Sequence, residues 1–289
     1  MEKSMQIRNS KLPANRKNGS VLKQLGIYFL IAVVVVLSLF PFYWMVATSL
    51  KTRIDTINPA KWIFEPILDS YITVIQSRNL GMYLTNSIIT VILTTVISLA
   101  LAFPAAYGFA RYHFRKKEDL AFWILSLRML PAMCVVIPFF LMGRLVGILD
   151  TNIVLIIVYL SFNIPFAIWM LRGFIEEIPV ELEEAAMVDG CTLYQTLWRI
   201  IRPLILPGLS ATAVFIVIQS WNEFALALFL TSFEARTLPT MVTMFLSVSG
   251  IVWGEMAAVG VITTLPVLVF ALFAQKYLIR GLTFGAVKS

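Results

Sequence analysis

Between Lys23 and Lys51 the chain carries no Asp, Glu, Lys or Arg, and residues 31–47 read IAVVVVLSLFPFYWMVA. Backbone amides in so apolar a run find no water inside a bilayer, so the run must be a helix that satisfies them internally. About 20 apolar residues cross the hydrocarbon core. Runs of that length recur at residues 25–50, 85–109, 120–142, 153–171, 204–230 and 256–278, which predicts six spans. The composition agrees, with 59% hydrophobic and 13% charged residues and a mean hydropathy of +0.85. The expected fold is all-α: a polytopic bundle of six transmembrane helices.

Positive residues near span ends are retained on the cytoplasmic side. Lys3, Arg8, Lys11, Arg16, Lys17 and Lys23 precede the first span, and Arg111, Arg115, Lys116 and Lys117 follow the second. Arg172, Arg199 and Arg202 flank the connection after the fourth, and Lys276, Arg280 and Lys288 lie at the other end of the chain. The opposite side receives only Lys51, Arg53, Lys61, Arg78, Arg144 and Arg236. Both termini are therefore expected in the cytoplasm, in three parts: a tail at 1–24, a membrane region at 25–280 and a tail at 281–289. The first apolar run is too long for a cleaved signal, so it is expected to be retained. The preceding tail, rich in Lys, Asn and Ser, is expected to be flexible. The net charge of +7 follows from this topology and requires no nucleic-acid partner.

Residues 183–207, EEAAMVDGCTLYQTLWRIIRPLILP, break the pattern with acidic and small residues between two apolar spans. Pro179 suits the first turn of a helix over 180–188, and Glu181, Glu183 and Glu184 suit its positive end. Leu182, Ala185 and Ala186 are expected on one face. Gly190 permits a sharp turn through positive φ, and a second helix from Thr192 carries a stripe of Leu193, Leu197, Ile200 and Ile201. Pro203 and Pro207 end it. A helical hairpin is predicted over 176–203. An acidic loop of this kind is repelled by anionic headgroups, so protein docking is favoured over a membrane-surface role.

Glu184-Ala185-Ala186, three residues, Gly190, nine residues, Ile200, one residue, then a position followed by Pro203 resembles the EAA loop of binding-protein-dependent ABC importers. Asp189 fits the same motif, and Arg202 departs from it, standing where Leu is usual. Trp221-Asn222-Glu223-Phe224 resembles a segment of the fifth span in maltose-type carbohydrate importers, and residues 276–288 resemble their C-terminal tail. Arg128-Met129 with Pro131 and residues 147–151 are also similar to that group.

The resemblance implies a permease subunit of the bacterial cell membrane that forms half of a path for a sugar. It implies as partners a second, different permease subunit, two ABC ATPase subunits and an extracytoplasmic solute-binding protein, with membrane lipid around them. The motif residues Glu184, Ala185, Ala186, Asp189, Gly190, Ile200 and Pro203 would then dock on an ATPase, and the C-terminal tail would reach between the two ATPases.

The chain has no phosphate-cradling G-x-x-x-x-G-K-[ST] sequence, so ATP and Mg are expected on the partners and no cofactor here. No nucleophile with a base, and no His/Cys cluster, suggests an enzyme. His113 stands alone, and Cys134 and Cys191 fall in different compartments, which argues against a disulfide.

Arg128 inside the third span requires a polar partner, because a buried charge there costs about 2.5–3.5 kcal/mol. It reads either as a path-lining group or as half of an ion pair with Glu223. Gln219, Trp221, Asn222 and Glu223 combine hydrogen-bonding groups with an aromatic face, as a sugar path requires. Interhelical bonding is the alternative. Asn86 and Asn163 are weaker candidates, and Pro138 and Pro165 are expected to break their helices. The polar stretch 51–84 is assigned to the outside, as a docking surface for a binding protein or as a loop packed on the bundle. A competing function is an ion-coupled secondary transporter with Arg128 and Glu223 as its titrating pair.

Overall fold

The computed structural model describes residues 17–58, 60–77, 79–247 and 250–284. The tail charges Lys3, Arg8, Lys11 and Arg16, the loop residue Arg78 and the C-terminal residues 285–289 lie outside the described residues. The chain divides into two units, residues 1–47 and 48–289. The described part of the first unit is one helix, α1 (Lys17–Ser49, running two residues past the boundary), with Pro41 inside it.

In the second unit, short helices α2 (Arg53–Ile57) and α3 (Asp69–Ser77) occupy the stretch that was too polar to cross. They pack against the last helix, so the stretch is joined to the bundle. The long helix α4 (Leu80–Arg111) follows, then α5 (Lys117–Ser126), α6 (Ala132–Val146) and α7 (Asn152–Glu176). A hairpin of α8 (Glu181–Val188), α9 (Leu193–Thr196), a π turn at Leu197–Ile201 and α10 (Arg202–Leu204) leads into α11 (Leu206–Asn222) and α12 (Ala225–Leu230). A 3-10 stretch at Leu238–Phe245, a two-residue ladder of β1 (Leu246–Ser247) with β2 (Gly250–Ile251), and α13 (Trp253–Phe284) complete the described residues.

Among the described residues, four helices are long and apolar enough to cross a membrane, within α1, α4, α7 and α13. Two bent pairs bring the number to six if each counts as one span. The third expected span is broken: residues 117–129 and α6 meet at 90°, with Leu130 extended and Pro131 at the N-cap of α6. The fifth is broken at Glu223, and α11 itself begins after a 77° bend at Ile205.

Pro138 and Pro165, expected to break their helices, lie inside α6 and α7, which continue through them. A proline removes one backbone bond, and packing from neighbouring helices holds the remainder together. The breaks at Leu130 and Glu223 fall where the backbone turns extended, while Ile205 bends the chain without becoming so.

The core is organised by α4 and α7, which form the most extensive helix pair. They run side by side in the same direction, because Asn152 donates to Asn86 at one end while Arg111 donates to the Ile178 carbonyl at the other. Small residues on α4 (Thr90, Thr94, Ser98, Ala102 and Ala106, all fully buried) recur every fourth position and allow close approach. Among the described residues, three clusters surround this pair. One joins the later halves of α4 and α7 to Leu197, Ile201 and Ile205 of the hairpin. A second joins Val74, Tyr83 and Trp221 to the 3-10 stretch and α13. The third joins α6, the first half of α7 and α12.

At the end bearing Asn86 and Asn152, a polar knot fixes the connections. Gly147 (φ +75) closes α6 in a Schellman turn, with Ile148 N–H donating to the Gly143 carbonyl. Asp150, itself left-handed (φ 57), accepts backbone N–H bonds from Ser232, Phe233, Glu234 and Ala235 at 2.9–3.2 Å. Asn86 donates to the carbonyls of Glu234 and Arg236. Partial burial would raise the Asp150 carboxyl, but the four N–H groups together hold it below its ordinary value of 3.8. The carboxylate therefore stabilises the fold at neutral pH, and this contribution disappears as pH falls through the lowered value.

We expect Asp150→Asn to lower the melting temperature at pH 7 by about 2–4 °C, the shift given by roughly 1 kcal/mol in a chain of this size. The gap between variant and parent should close as a pH series of thermal melts descends below the carboxylate range.

Candidate functional site

Both helix breaks border one cavity of about 290 Å³. Arg128 and Leu130 come from the break between α5 and α6, Tyr159, Phe162 and Asn163 from α7, and Gln219, Asn222 and Glu223 from the end of α11. Gln219, Asn222 and Glu223 share a face because they stand at i, i+3 and i+4. Trp221 points elsewhere. Its indole N–H donates to the Thr263 carbonyl at 3.1 Å, and its ring lines a separate apolar groove with Ile88, Ile92, Val217 and Pro266.

Glu223 is committed to the backbone. Its carboxylate accepts N–H bonds from Leu226 at 3.0 Å and Ala227 at 3.1 Å, and a bond from the Tyr159 hydroxyl at 3.3 Å. These N–H groups are the free donors of the first turn of α12, so the side chain repairs the break that it stands in. Arg128 makes no ion pair with it among the described residues. The guanidinium instead lies 4.0 Å from the centre of the Phe166 ring, and its Nη1 is buried with no hydrogen-bond partner. Asn163 donates to the Tyr159 carbonyl and to Ser220 Oγ, leaving its Oδ1 unpartnered. Arg128 and Asn163 both line the cavity, and each keeps one buried polar atom without a partner.

The hairpin lies at the opposite end of α4 and α7 from the Asp150 knot. Gly190 (φ +86) closes α8 in a full Schellman turn: its N–H donates to the Met187 carbonyl, and that of Cys191 to the Ala186 carbonyl. Thr192 and Gln195 form a reciprocal capping box that starts α9. The two signals leave little freedom in the turn between them.

Burial within the hairpin differs from the expected faces. Of Leu182, Ala185 and Ala186 only Ala186 is buried. Of the stripe, Leu197 and Ile201 are buried, Ile200 is half-buried and Leu193 is exposed. The π turn at Leu197–Ile201 adds a residue to one turn and so rotates the rest of the hairpin about its axis. Glu184, Ala185, Asp189, Gly190 and Pro203 are exposed, and Arg202 lies over the Trp198 ring at 5.3 Å. Leu182, Met187, Val188 and Tyr194 add exposed apolar area to the same hairpin.

The carboxylate that is buried is Glu183, 2% exposed. It accepts bonds from the Tyr107 hydroxyl at 2.7 Å and from Arg111 Nε at 2.6 Å, while Arg111 Nη2 donates to the Ile178 carbonyl at 2.8 Å. Sequence reasoning counted Arg111 only as a topological charge. The i, i+4 spacing of Tyr107 and Arg111 on the last turns of a helix was the available signal. No group of acidic, His or Cys residues among those described could hold a metal.

Residues 98–284 match the family of binding-protein-dependent transport system inner membrane components. The chain belongs to this family. The match takes in the hairpin and every residue around the cavity. It is similar to the probable ABC transporter permease protein y4oR of Sinorhizobium fredii, at 39% identity over 86% of this chain and 90% of the relative. It is also similar to the trehalose/maltose transport system permease protein MalG of Thermococcus litoralis, at 34% identity over 93% and 98%. The structure of a bacterial ABC transporter involved in the import of the acidic polysaccharide alginate shares the fold, with a TM-score of 0.76 at 23% identity over 90% and 98%. As an ABC importer permease the chain gives no support to the ion-coupled alternative, and Arg128 and Glu223 form no ion pair among the described residues.

We expect Glu223→Ala to destabilise this permease by about 1–3 kcal/mol for each buried N–H it orphans, read as a lowered melting temperature in detergent. Glu223→Gln keeps one acceptor and should lose less. A melt unchanged in both would show that the break is held by other groups.

Proposed function

We propose that this permease carries a sugar or oligosaccharide across the bacterial cell membrane, as half of a pathway completed by a second, different permease subunit. Sugars are named for several relatives: trehalose or maltose for the Thermococcus litoralis protein, and diacetylchitobiose for a Streptomyces coelicolor permease 35% identical over 89% of this chain. Arg128, Gln219, Asn222 and Glu223 are assigned to the path. Their cavity offers the donors and acceptors that hydroxyl groups require. Trp221 is assigned to packing, since its ring lines the other groove.

The energy comes from two ABC ATPase subunits, which bind ATP and Mg. The observation that carries this reading is the hairpin: two short helices, locked by the Gly190 turn and the Thr192 capping box, that expose Glu184, Ala185, Leu182, Met187 and Val188. This exposed face docks on the ATPase. The hairpin and both termini lie in the cytoplasm, in keeping with the charge distribution. The region 51–84 and the Asp150 knot then face outward, where a solute-binding protein delivers the substrate. The layout is a tail at 1–24, a membrane region at 25–280 with coupling helices at 176–203, and a tail at 281–289.

Gly190→Pro tests the hairpin, because proline fixes φ near about −65° where the turn needs +86° and removes the N–H that bonds Met187. The variant should insert and assemble, yet ATP-driven uptake of labelled trehalose, maltose or diacetylchitobiose in proteoliposomes should fall about tenfold, as loss of about 1.4 kcal/mol at the docking contact gives. Wild-type uptake in this variant, or failure of any ATPase to copurify with the parent, would refute the reading.

A further inference from the structure

We infer that Glu183, Tyr107 and Arg111 form a clamp that makes the hairpin and the end of α4 one rigid body, so that displacement of the hairpin reaches α4 directly. Covalent connection alone would deliver that motion to α7 and α11, the two helices continuous with the hairpin. The inference rests on the proposed docking of the hairpin on an ATPase, and it names the residues that pass the motion inward.

The geometry is specific. Glu183 stands in the first turn of α8, and its two oxygens receive separate donors, Tyr107 and Arg111, from the last two turns of α4. Arg111 has a second bond, to the Ile178 carbonyl in the link between α7 and α8, so one guanidinium holds both the helix and the chain that leads into it. Burial excludes the water that would otherwise compete for these bonds.

Apolar contacts from Phe103 and Ala106 to the hairpin side of the core also join the parts. Hydrogen bonds fix direction as well as distance. Glu183 faces inward while Glu184 is exposed, so the adjacent carboxylates have different work: one binds within the chain and the other is free to meet a partner. The three are positioning residues, since none touches the cavity.

α4 contributes to more than one core cluster. Its later half lies in the cluster that contains the hairpin, and Tyr83 and Val91 in its first half lie in the cluster with Trp221 and α13. A push at Arg111 is therefore delivered along a continuous helix to the cluster that holds Trp221 and α13.

The test uses the full transporter complex with Cys134 and Cys191 replaced by Ser and spin labels at two exposed positions, Glu181 on α8 and Tyr112 at the end of α4. In the parent, the label distance should be the same without nucleotide and with the ATPases trapped by ATP and vanadate. Glu183→Leu should broaden and shift that distribution on trapping, and should lower uptake per ATP hydrolysed by about fivefold or more. Glu183→Gln, which keeps an acceptor for Arg111 and can bond Tyr107, should fall between the two.

An unshifted distance in Glu183→Leu overturns the clamp, as does a parent in which the distance itself changes on trapping. Should Glu183→Leu fail to assemble, Arg111→Gln decides: it removes the ion pair, and parent-like coupling with parent-like distances would overturn the inference. Loss of ATP-driven uptake in the parent, with label distances constant, would instead refute the importer reading.

Discussion

Parallel packing of α4 on α7 is the constraint on which the remaining structure depends. Small residues at every fourth position of α4 bring the two backbones together, and polar contacts fix their relative height at both ends. With that height set, the Asp150 knot and the Glu183 cluster are held at opposite ends of a rigid pair. The cavity lies beside this pair, bounded by α7 on one side and the two broken helices on the others. Membrane helices gain little from hydrophobic burial against one another, since lipid is equally apolar. Close approach and interhelical hydrogen bonds therefore carry the association.

The broken helices show how strongly an apolar surrounding governs the backbone. Each break exposes N–H and carbonyl groups that lipid cannot satisfy, so a break survives only beside protein or a water-filled space. Proline at position 131 removes one donor from the problem at the first break. At the second, Glu223 supplies the acceptors for Leu226 and Ala227. The two breaks share one cavity, and that arrangement lets a polar pocket open between helices that otherwise face hydrocarbon.

Much of this was legible in the sequence, and the failures have definite causes. Span length and the spacing from Glu184 to Pro203 found the helices and the hairpin, because both are local patterns with fixed periods. Gly190 was read as a positive-φ turn for the same reason. The breaks were misplaced to Pro138 and Pro165, since whether a proline interrupts a helix depends on what packs around it. Trp221 was grouped with Gln219, Asn222 and Glu223 by adjacency, although one residue in a helix turns the side chain by about 100°. The inward role of Glu183 depends on Tyr107 and Arg111, more than seventy residues earlier in the chain, and no local period reports such a contact.

Charge placement in the cavity is decided by what each side chain can do at its depth. A carboxylate has only acceptors, and the start of α12 has only unsatisfied donors, so Glu223 is consumed where it stands. A guanidinium has only donors, and this one lies on the Phe166 ring, whose negative face partly offsets its charge. Pairing the two would neutralise both, but it would take Glu223 from α12 and leave two backbone N–H groups bare. The structure keeps the helix start intact and leaves Arg128, which lines the cavity, with one buried nitrogen unpartnered. Among the described residues lining the cavity, that guanidinium is the charged group with a hydrogen bond left unmade, and it stands beside the helix break at Leu130 and Pro131.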